Sequence, residues 1–325
     1  MELICPAGTP AAFEAAVDAG ADAVYCGFRD ATNARNFPGL NFSYDELRKA
    51  VDYAHRQHVH VLVAVNTFPQ AGHPELWHRA VDEACNAGAD ALILADIGLI
   101  SYAAQKYPSQ RLHVSVQAAA SNPDAIRFYQ EAFGVRRVVL PRVLSVPEIK
   151  AITAATTCET EVFVFGGLCV MAEGRCSLSS YATGKSPNMN GVCSPASHVS
   201  YQQEGDRMVS RLGAFTINEF SPDEPAAYPT LCKGRFVTGK GEGYIFEDPV
   251  SLDAASLLSG LKDAGVTALK IEGRQRGRAY IADVVRYFRS ALEDLKAGRP
   301  VSAEQLTALS EGQSNTTGAY RKTWR

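Results

Sequence analysis

The chain has 325 residues, 46% of them apolar and 21% charged, with a formal net charge of −3. That balance supports a large buried core and excludes a chain that is mainly disordered. It carries no basic excess of the kind that grips nucleic acid through its phosphates, and its longest apolar runs, Val61–Val65 and Ala91–Ala95, fall far short of the roughly 20 residues of a membrane-spanning helix.

The opening Met1-Glu2-Leu3-Ile4-Cys5-Pro6 has no basic leader and reads as a first strand, so the expected setting is cytoplasmic. In a reducing compartment the eight cysteines point to metal ligation or burial before disulfides. Glu2–Cys5 is a predicted strand, Pro10–Ala19 a helix and Ala23–Cys26 a strand. Ser43 and Glu46 form a capping-box pattern that opens a helix to about Arg56. His58–Val65 alternates and is β-branched, hence a strand; a helix follows over Pro74–Asn86. Ala91–Leu94, Leu112–Gln117 and Arg137–Leu140 are predicted strands, separated by helices over Leu99–Lys106 and from Asn122 to Glu131. A second capping box, Ser145 to Glu148, opens the next helix before the strand Glu161–Phe165. Ala268–Ile271 is the last strand, and Gly277–Lys296 a long closing helix.

Eight strands alternating with helices imply parallel pairing through right-handed crossovers. The expected class is α/β, a (β/α)8 TIM-type barrel, with an open doubly wound sheet as its competitor. Residues 1–168 would supply strands one to seven and 251–298 the end of the barrel, with a helix starting near Ser251. Residues 169–250 form a long insertion, in which Val209–Ile217 and Arg235–Ile245 read as short strands. The polar tail, 299–325, reads as a helix and a frayed end.

Cys169, Cys176, Cys193 and Cys232 belong to this insertion, separated by six, sixteen and thirty-eight residues, each with Gly or Pro close by. Four thiolates match an all-cysteine zinc site or a [4Fe–4S] cluster. Zinc knuckles favour pairs two to four residues apart, so scattered ligands converging from loops suit a cluster better. Simple burial and a catalytic thiol are the other readings; His198 is the nearest histidine in sequence, with nothing to pair it to a cysteine. Cys5, Cys26, Cys85 and Cys158 read as ordinary buried residues.

A barrel places its active site at the C-terminal ends of its strands. Those ends carry Asn66, Asp96, Gln117, Arg142 and Glu272, the candidate catalytic set. Arg274 and Arg276 lie just beyond Glu272 as candidate substrate-binding groups, able to clamp a carboxylate or phosphate. Each of these polar groups also has an anchoring or solvated reading. His55, His58 and His60 fit no metalloenzyme spacing and read as a solvated cluster. No dinucleotide or Walker phosphate loop occurs.

At Glu161–Ser179, reading EVFVFGGLCVMAEGRCSLS, the chain resembles the collagenase-like peptidase family of class U, departing at Gly167, where the family usually has Ser or Ala. ELICPAG, GADAVYCG, TNARNFPGLNF, GADALILAD, HVSVQA, RVVLPRVLS, GVCSPA, YPTLCKGR and KIEGRQR resemble a branch devoted to ubiquinone biosynthesis, over essentially the whole chain. The resemblance implies a [4Fe–4S] cluster on Cys169, Cys176, Cys193 and Cys232, and a role in oxygen-independent ring hydroxylation. It further implies a UbiV-like family member as heterodimer partner, a UbiT-like lipid carrier, and a ubiquinone precursor and prephenate as substrates, prephenate being the hydroxyl donor. Three other readings stand beside it. Siblings of the family resemble tRNA or rRNA hydroxylation proteins, which the acidic balance disfavours here. The chain could be a non-catalytic electron-transfer or scaffold subunit. Peptidase activity is a name-level analogy, since no nucleophile–base–acid motif is present.

Overall fold

The structure is a computed structural model that describes residues 1–169, 176–301, 304–310 and 314–321. The chain runs β1 (Glu2–Pro6), α1 (Pro10–Asp18), β2 (Ala23–Gly27), α2 (Tyr44–His55), β3 (His60–Val65), α3 (Glu75–Asn86), β4 (Ala91–Leu94), α4 (Ile97–Lys106), β5 (Arg111–Val114), α5 (Pro123–Phe133), β6 (Arg137–Val139), α6 (Val146–Ala154) and β7 (Glu159–Gly167). The excursion holds α7 (Leu178–Thr183), α8 (Pro187–Asn190) and five short strands, β8 (Val199–Glu204), β9 (Arg207–Leu212), β10 (Phe215–Phe220), β11 (Arg235–Thr238) and β12 (Gly241–Tyr244). After it come β13 (Ser251–Asp253), α9 (Leu258–Asp263), β14 (Ala268–Ile271), α10 (Arg278–Lys296) and β15 (Asn315–Thr316).

Strands β1 to β7 pair in parallel in chain order, and β14 pairs with both β1 and β7. The sheet is therefore a closed eight-stranded barrel with helices outside, as the alternation of elements predicts. Local signals hold as read. Ser43 and Glu46 form the reciprocal cap of α2, at 3.2 and 2.7 Å, and the Asn122 carboxamide accepts from Ala125 N at 2.9 Å to start α5.

Side-chain direction alternates along each strand. Leu3, Val24, Val61, Val63, Leu92, Val114, Val138, Val162 and Leu269 face the helices and form the main core. Ile4, Tyr25, Leu62, Ala64, Ala91, Ile93 and Ala268 face the lumen on one side. The other side of the lumen is charged. Glu161 (0% exposed) receives Lys270 Nζ at 2.6 Å, and Arg137 Nη1 approaches it at 3.4 Å. Arg137 also reaches Glu159 at 2.6 Å and Glu2 at 2.7 Å, and Arg111 reaches Glu159 at 2.5 Å. The buried Glu161 thus faces two buried cations, and the part-exposed Glu159 and Glu2 supply the further negative charge that Arg137 needs.

Several expectations change in detail. Leu112–Gln117 is not one strand: Ser115 ends β5, Val116–Ala118 is a 3-10 turn, and Ala119 takes a left-handed φ of 53°. The β-branched Val116 extends the apparent strand, but Ser115 accepts from Gln117 N and turns the chain. Val209–Ile217 and Arg235–Ile245 are hairpins rather than single strands, turning at Gly213 (φ 60°) and just before Gly241 (φ 111°). Near Ser251 the chain is strand, not helix: β13 pairs antiparallel to the end of β7 and α9 begins at Leu258. The described part of the tail is docked rather than frayed. β15 pairs with β13, and the buried Tyr320 hydroxyl donates to Phe163 O at 2.5 Å. No helix among the described residues is long and apolar enough to cross a membrane.

His113 faces the lumen on β5, 1% exposed, and accepts from Arg111 Nε at 2.9 Å. Burial, reinforced by Arg137, Arg111 and Lys270, holds its pKa well below the ordinary 6.5. The unfolded chain therefore takes up a proton near that pH while the folded chain does not. Stability is full above it and falls as the pH drops, by up to about 1.4 kcal/mol per pH unit from this group. Urea denaturation near pH 7.5 and pH 5.5 checks it: His113→Gln narrows the difference between the two, whereas an unchanged difference contradicts the assignment.

Candidate functional site

The inward phase of the strands ends in a cavity of about 250 Å³ at the C-terminal mouth of the barrel. Tyr25, Ala64, Asn66, Ile93, Ser115, Val139, Phe163, Lys270 and Glu272 line its floor, each two residues along its strand from another inward position or at a strand end. The insertion supplies its roof: Cys169, Cys176, Cys193 and Cys232 all line this same cavity.

Asn66, Gln117, Arg142, Glu272, Arg274 and Arg276 line the cavity too. Asp96 does not appear there. It is the N-cap of α4, where its carboxylate accepts from Leu99 N at 2.8 Å. A carboxylate is a favoured acceptor at a helix N-terminus, and this local bond turns the side chain away from the mouth. Asn66 accepts from Ala34 N at 3.0 Å and donates to Ser115 at 3.3 Å, tying β3 to the loop after β2. Gln117 accepts from Asn188 Nδ2 at 3.0 Å, and Asn188 Oδ1 accepts from Cys176 N at 3.2 Å. Gln117 thus positions one of the cysteines through α8.

The cavity wall is cationic, with Glu272 the one carboxylate among its described lining residues. Burial alone would raise the Glu272 pKa, but Arg35, Arg142, Arg276 and Arg274 together hold it below the usual range. Arg35 Nε stands 3.4 Å from its carboxylate. Arg142 lies over the Phe163 ring at 3.7 Å. Arg274, 5% exposed, donates to Asn33 Oδ1 at 3.1 Å, and burial lowers its pKa to about 10. Arg276 is exposed at the rim. Such forks accept carboxylates or phosphates bidentately.

Cys176, Cys193 and Cys232 form no disulfide. Burial pushes the Cys232 thiol up to about 12, with Cys169 and Cys193 adding like-charge repulsion. Burial also raises Cys193; Arg35 opposes the rise and Cys176 adds to it. The four thiols are therefore electrostatic neighbours. Among the described residues, however, no three His, Cys, Asp or Glu side chains are drawn together at metal-holding distance. Residues 170–175, which join Cys169 to Cys176, lie outside the described residues. Four soft sulfur donors lining one cavity suit zinc or an iron–sulfur cluster by donor chemistry. Cys5, Cys26 and Cys158 are buried in the core and Cys85 half-buried on α3, as read. His55, His58 and His60 are exposed, His55 pairing with Asp90 at 2.9 Å.

Lys270, Tyr25, Arg35, Asn33 and Asn188 are members of the site that strand-end reading passes over. Lys270 was within reach, since it lies two residues before Glu272 and shares its inward phase. Arg35 and Asn33 lie in a loop and Asn188 in the one-turn α8, where no periodicity tells which way a side chain points.

The model of peptidase family U32 matches residues 8–322. The chain is 32% identical over 327 residues to the tRNA hydroxylation protein P of Escherichia coli, covering 95% of this chain and 71% of that protein. It is 31% identical over 333 residues to the Haemophilus influenzae protein of the same name, with coverage of 95% and 71%. It is also 30% identical over 296 residues to the E. coli 23S rRNA 5-hydroxycytidine C2501 synthase, covering 90% of this chain and 39% of that protein.

The seam between floor and roof is sterically tight. Gly166 has φ 111°, and a Cβ there would lie 2.4 Å from Glu272 O. Gly166→Ala is expected to lower stability by about 2–4 kcal/mol through backbone strain and displacement of Glu272. Chemical denaturation measures it; a loss under about 0.5 kcal/mol, the range of a surface change, contradicts the close approach.

Proposed function

The chain belongs to peptidase family U32, and from that premise we propose that it is an iron–sulfur subunit of an oxygen-independent hydroxylation in ubiquinone biosynthesis, similar to the protein UbiU. The observation that carries the reading is that Cys169, Cys176, Cys193 and Cys232 line one cavity together with inward-facing polar and apolar residues of the barrel strands. The relatives at 30–32% identity bear names of hydroxylation proteins, which supports the reaction class.

In this reading the four cysteines hold a [4Fe–4S] cluster. When bound, the cluster supplies electron transfer next to the substrate cavity. The protein's own groups do the rest. Asn188 braces the Cys176 backbone against Gln117 of the barrel. Arg142, Arg274 and Arg276 offer donors to the carboxylates of a hydroxyl donor such as prephenate. Glu272 pairs with Arg35 at 3.4 Å and offsets the charge of the neighbouring arginines, and a prenylated ring would lie against Phe163, Ile93 and Val139. The proposal includes a UbiV-like heterodimer partner, a UbiT-like lipid carrier and a cytoplasmic setting.

A second reading, hydroxylation of an RNA base, is favoured by the printed names of the relatives and opposed by the net charge of −3. Two measurements separate these. Anaerobic purification with iron, sulfide and zinc determination is expected to give about four iron and four sulfide per chain. Serine at any one of the four cysteine positions should remove most of both. Zinc near one per chain without sulfide contradicts the cluster. In a strain lacking the gene and grown without oxygen, the ubiquinone reading expects accumulation of the unhydroxylated ring precursor. Intact ubiquinone together with loss of a hydroxylated nucleoside would favour RNA.

A further inference from the structure

The floor of the cavity holds an amine that neither the cluster nor the arginines account for. Lys270 lies on β14, pointing inward, with 6% of its side chain exposed, and is one of the residues that line the cavity. Nζ donates to Glu161 Oε1 at 2.6 Å and sits 3.8 Å above the centre of the Tyr25 ring. The Tyr25 hydroxyl is committed to Ile271 O at 2.9 Å, so the ring presents its face rather than its oxygen to the amine. Arg274 stands over the same ring at 5.5 Å, and Arg137 lies across Glu161.

Two features distinguish Lys270 from a structural ion pair. Glu161 is already approached by Arg137, so the carboxylate keeps a cationic partner if Lys270 gives up its charge. Burial, joined by Arg274 and Arg137, also pulls the Lys270 pKa down against the upward pull of Glu161. A desolvated lysine beside other cations is how proteins make an amine nucleophilic at neutral pH. The arginines around the mouth, with Glu272 the one carboxylate among the described lining residues, favour an anionic guest.

We propose that Lys270 is a nucleophilic residue that captures a small carbonyl compound bearing a carboxylate, such as a 2-oxo acid, as an imine within the barrel mouth. The ammonium first passes a proton to Glu161. The free amine adds to the carbonyl carbon, forming the C–N bond, and its proton moves to the carbonyl oxygen to give a carbinolamine. Glu161 returns its proton to that hydroxyl, the C–O bond breaks and water leaves. Lysine ammonium plus carbonyl gives iminium plus water, with no oxidant or reductant, and the iminium keeps the positive charge that Glu161 faced at the start.

The test is borohydride trapping on the full-length protein, purified without oxygen, using pyruvate and glyoxylate as probes. Hydride fixes an iminium as a secondary amine, and peptide mass spectrometry locates it. The expected result is near-stoichiometric modification of Lys270 by at least one probe, well above any exposed lysine, and its loss in Lys270→Arg, which keeps the charge beside Glu161. Glu161→Gln should slow capture about a hundredfold, the scale of general acid–base assistance. Wild-type protein whose Lys270 peptide stays unmodified, or is modified no more than exposed lysines, overturns the proposal. Unchanged capture in Glu161→Gln overturns the role given to Glu161. None of these readouts depends on iron or sulfide, so the inference stands or falls apart from the cluster.

Discussion

Gly166 and Glu272 meet backbone to backbone at the seam where β7 and β14 close the barrel, a space that no side chain can share. The register shifts there: Lys270 pairs with Phe163, but Ile271 pairs with Phe165. A bulge of this kind bends the strand that carries it. Here it lets β7 outrun the barrel to Gly167, pair antiparallel with β13 and deliver Cys169 to the rim. The same contact sets the Glu272 carboxylate within 3.4 Å of both Gly167 N and Arg35. Floor, roof and the charged wall between them are all referred to that one close approach.

The lumen beneath follows a different logic. Its neutral side is small and apolar, filled by Ala23, Ala64, Ala91, Ala268 and their neighbours. Its charged side places Glu161 between Lys270 and Arg137, so that removing Glu161 would leave Lys270 as a buried cation without its carboxylate, while removing Lys270 leaves Glu161 still facing Arg137. Buried ion pairs are weak contributors to stability when complete, so a functional use for one of them is a better account than stability alone. The arrangement couples the lower barrel to the cavity through a single side chain, Lys270, which touches both.

Much of the barrel was legible because strand and helix periods are local. Caps at Ser43 and Asn122 and the strand signals of β1 to β4 act within a few residues, and each reads correctly in isolation. Reading faltered where a local signal competes with a distant one. Val116 is β-branched, yet the hydroxyl of Ser115 turns the chain. Asp96 ends a strand like the others, yet its carboxylate is taken by the helix it starts. The tail looks polar, yet Tyr320 is buried against Phe163 by contacts over 150 residues away in sequence. Cys169, Cys176, Cys193 and Cys232 stand out in the sequence by their loop setting and motif, and all four line the cavity. What braces Cys176 could not be read, because the Gln117–Asn188 contact joins a 3-10 turn to the one-turn α8 with no shared pattern.

The cavity lining combines two kinds of chemistry, arginines suited to anionic oxygen and thiols suited to a soft metal. A cluster on the thiols would work at the edge of a site whose other groups are fixed by the barrel. The most direct test of that central claim is X-ray absorption at the iron edge on protein isolated without oxygen. The account predicts a first shell of sulfur alone with iron–iron scattering behind it, lost together when Cys193 is replaced by serine. An iron shell of nitrogen and oxygen, or a tetrahedral all-sulfur zinc site in its place, would contradict it.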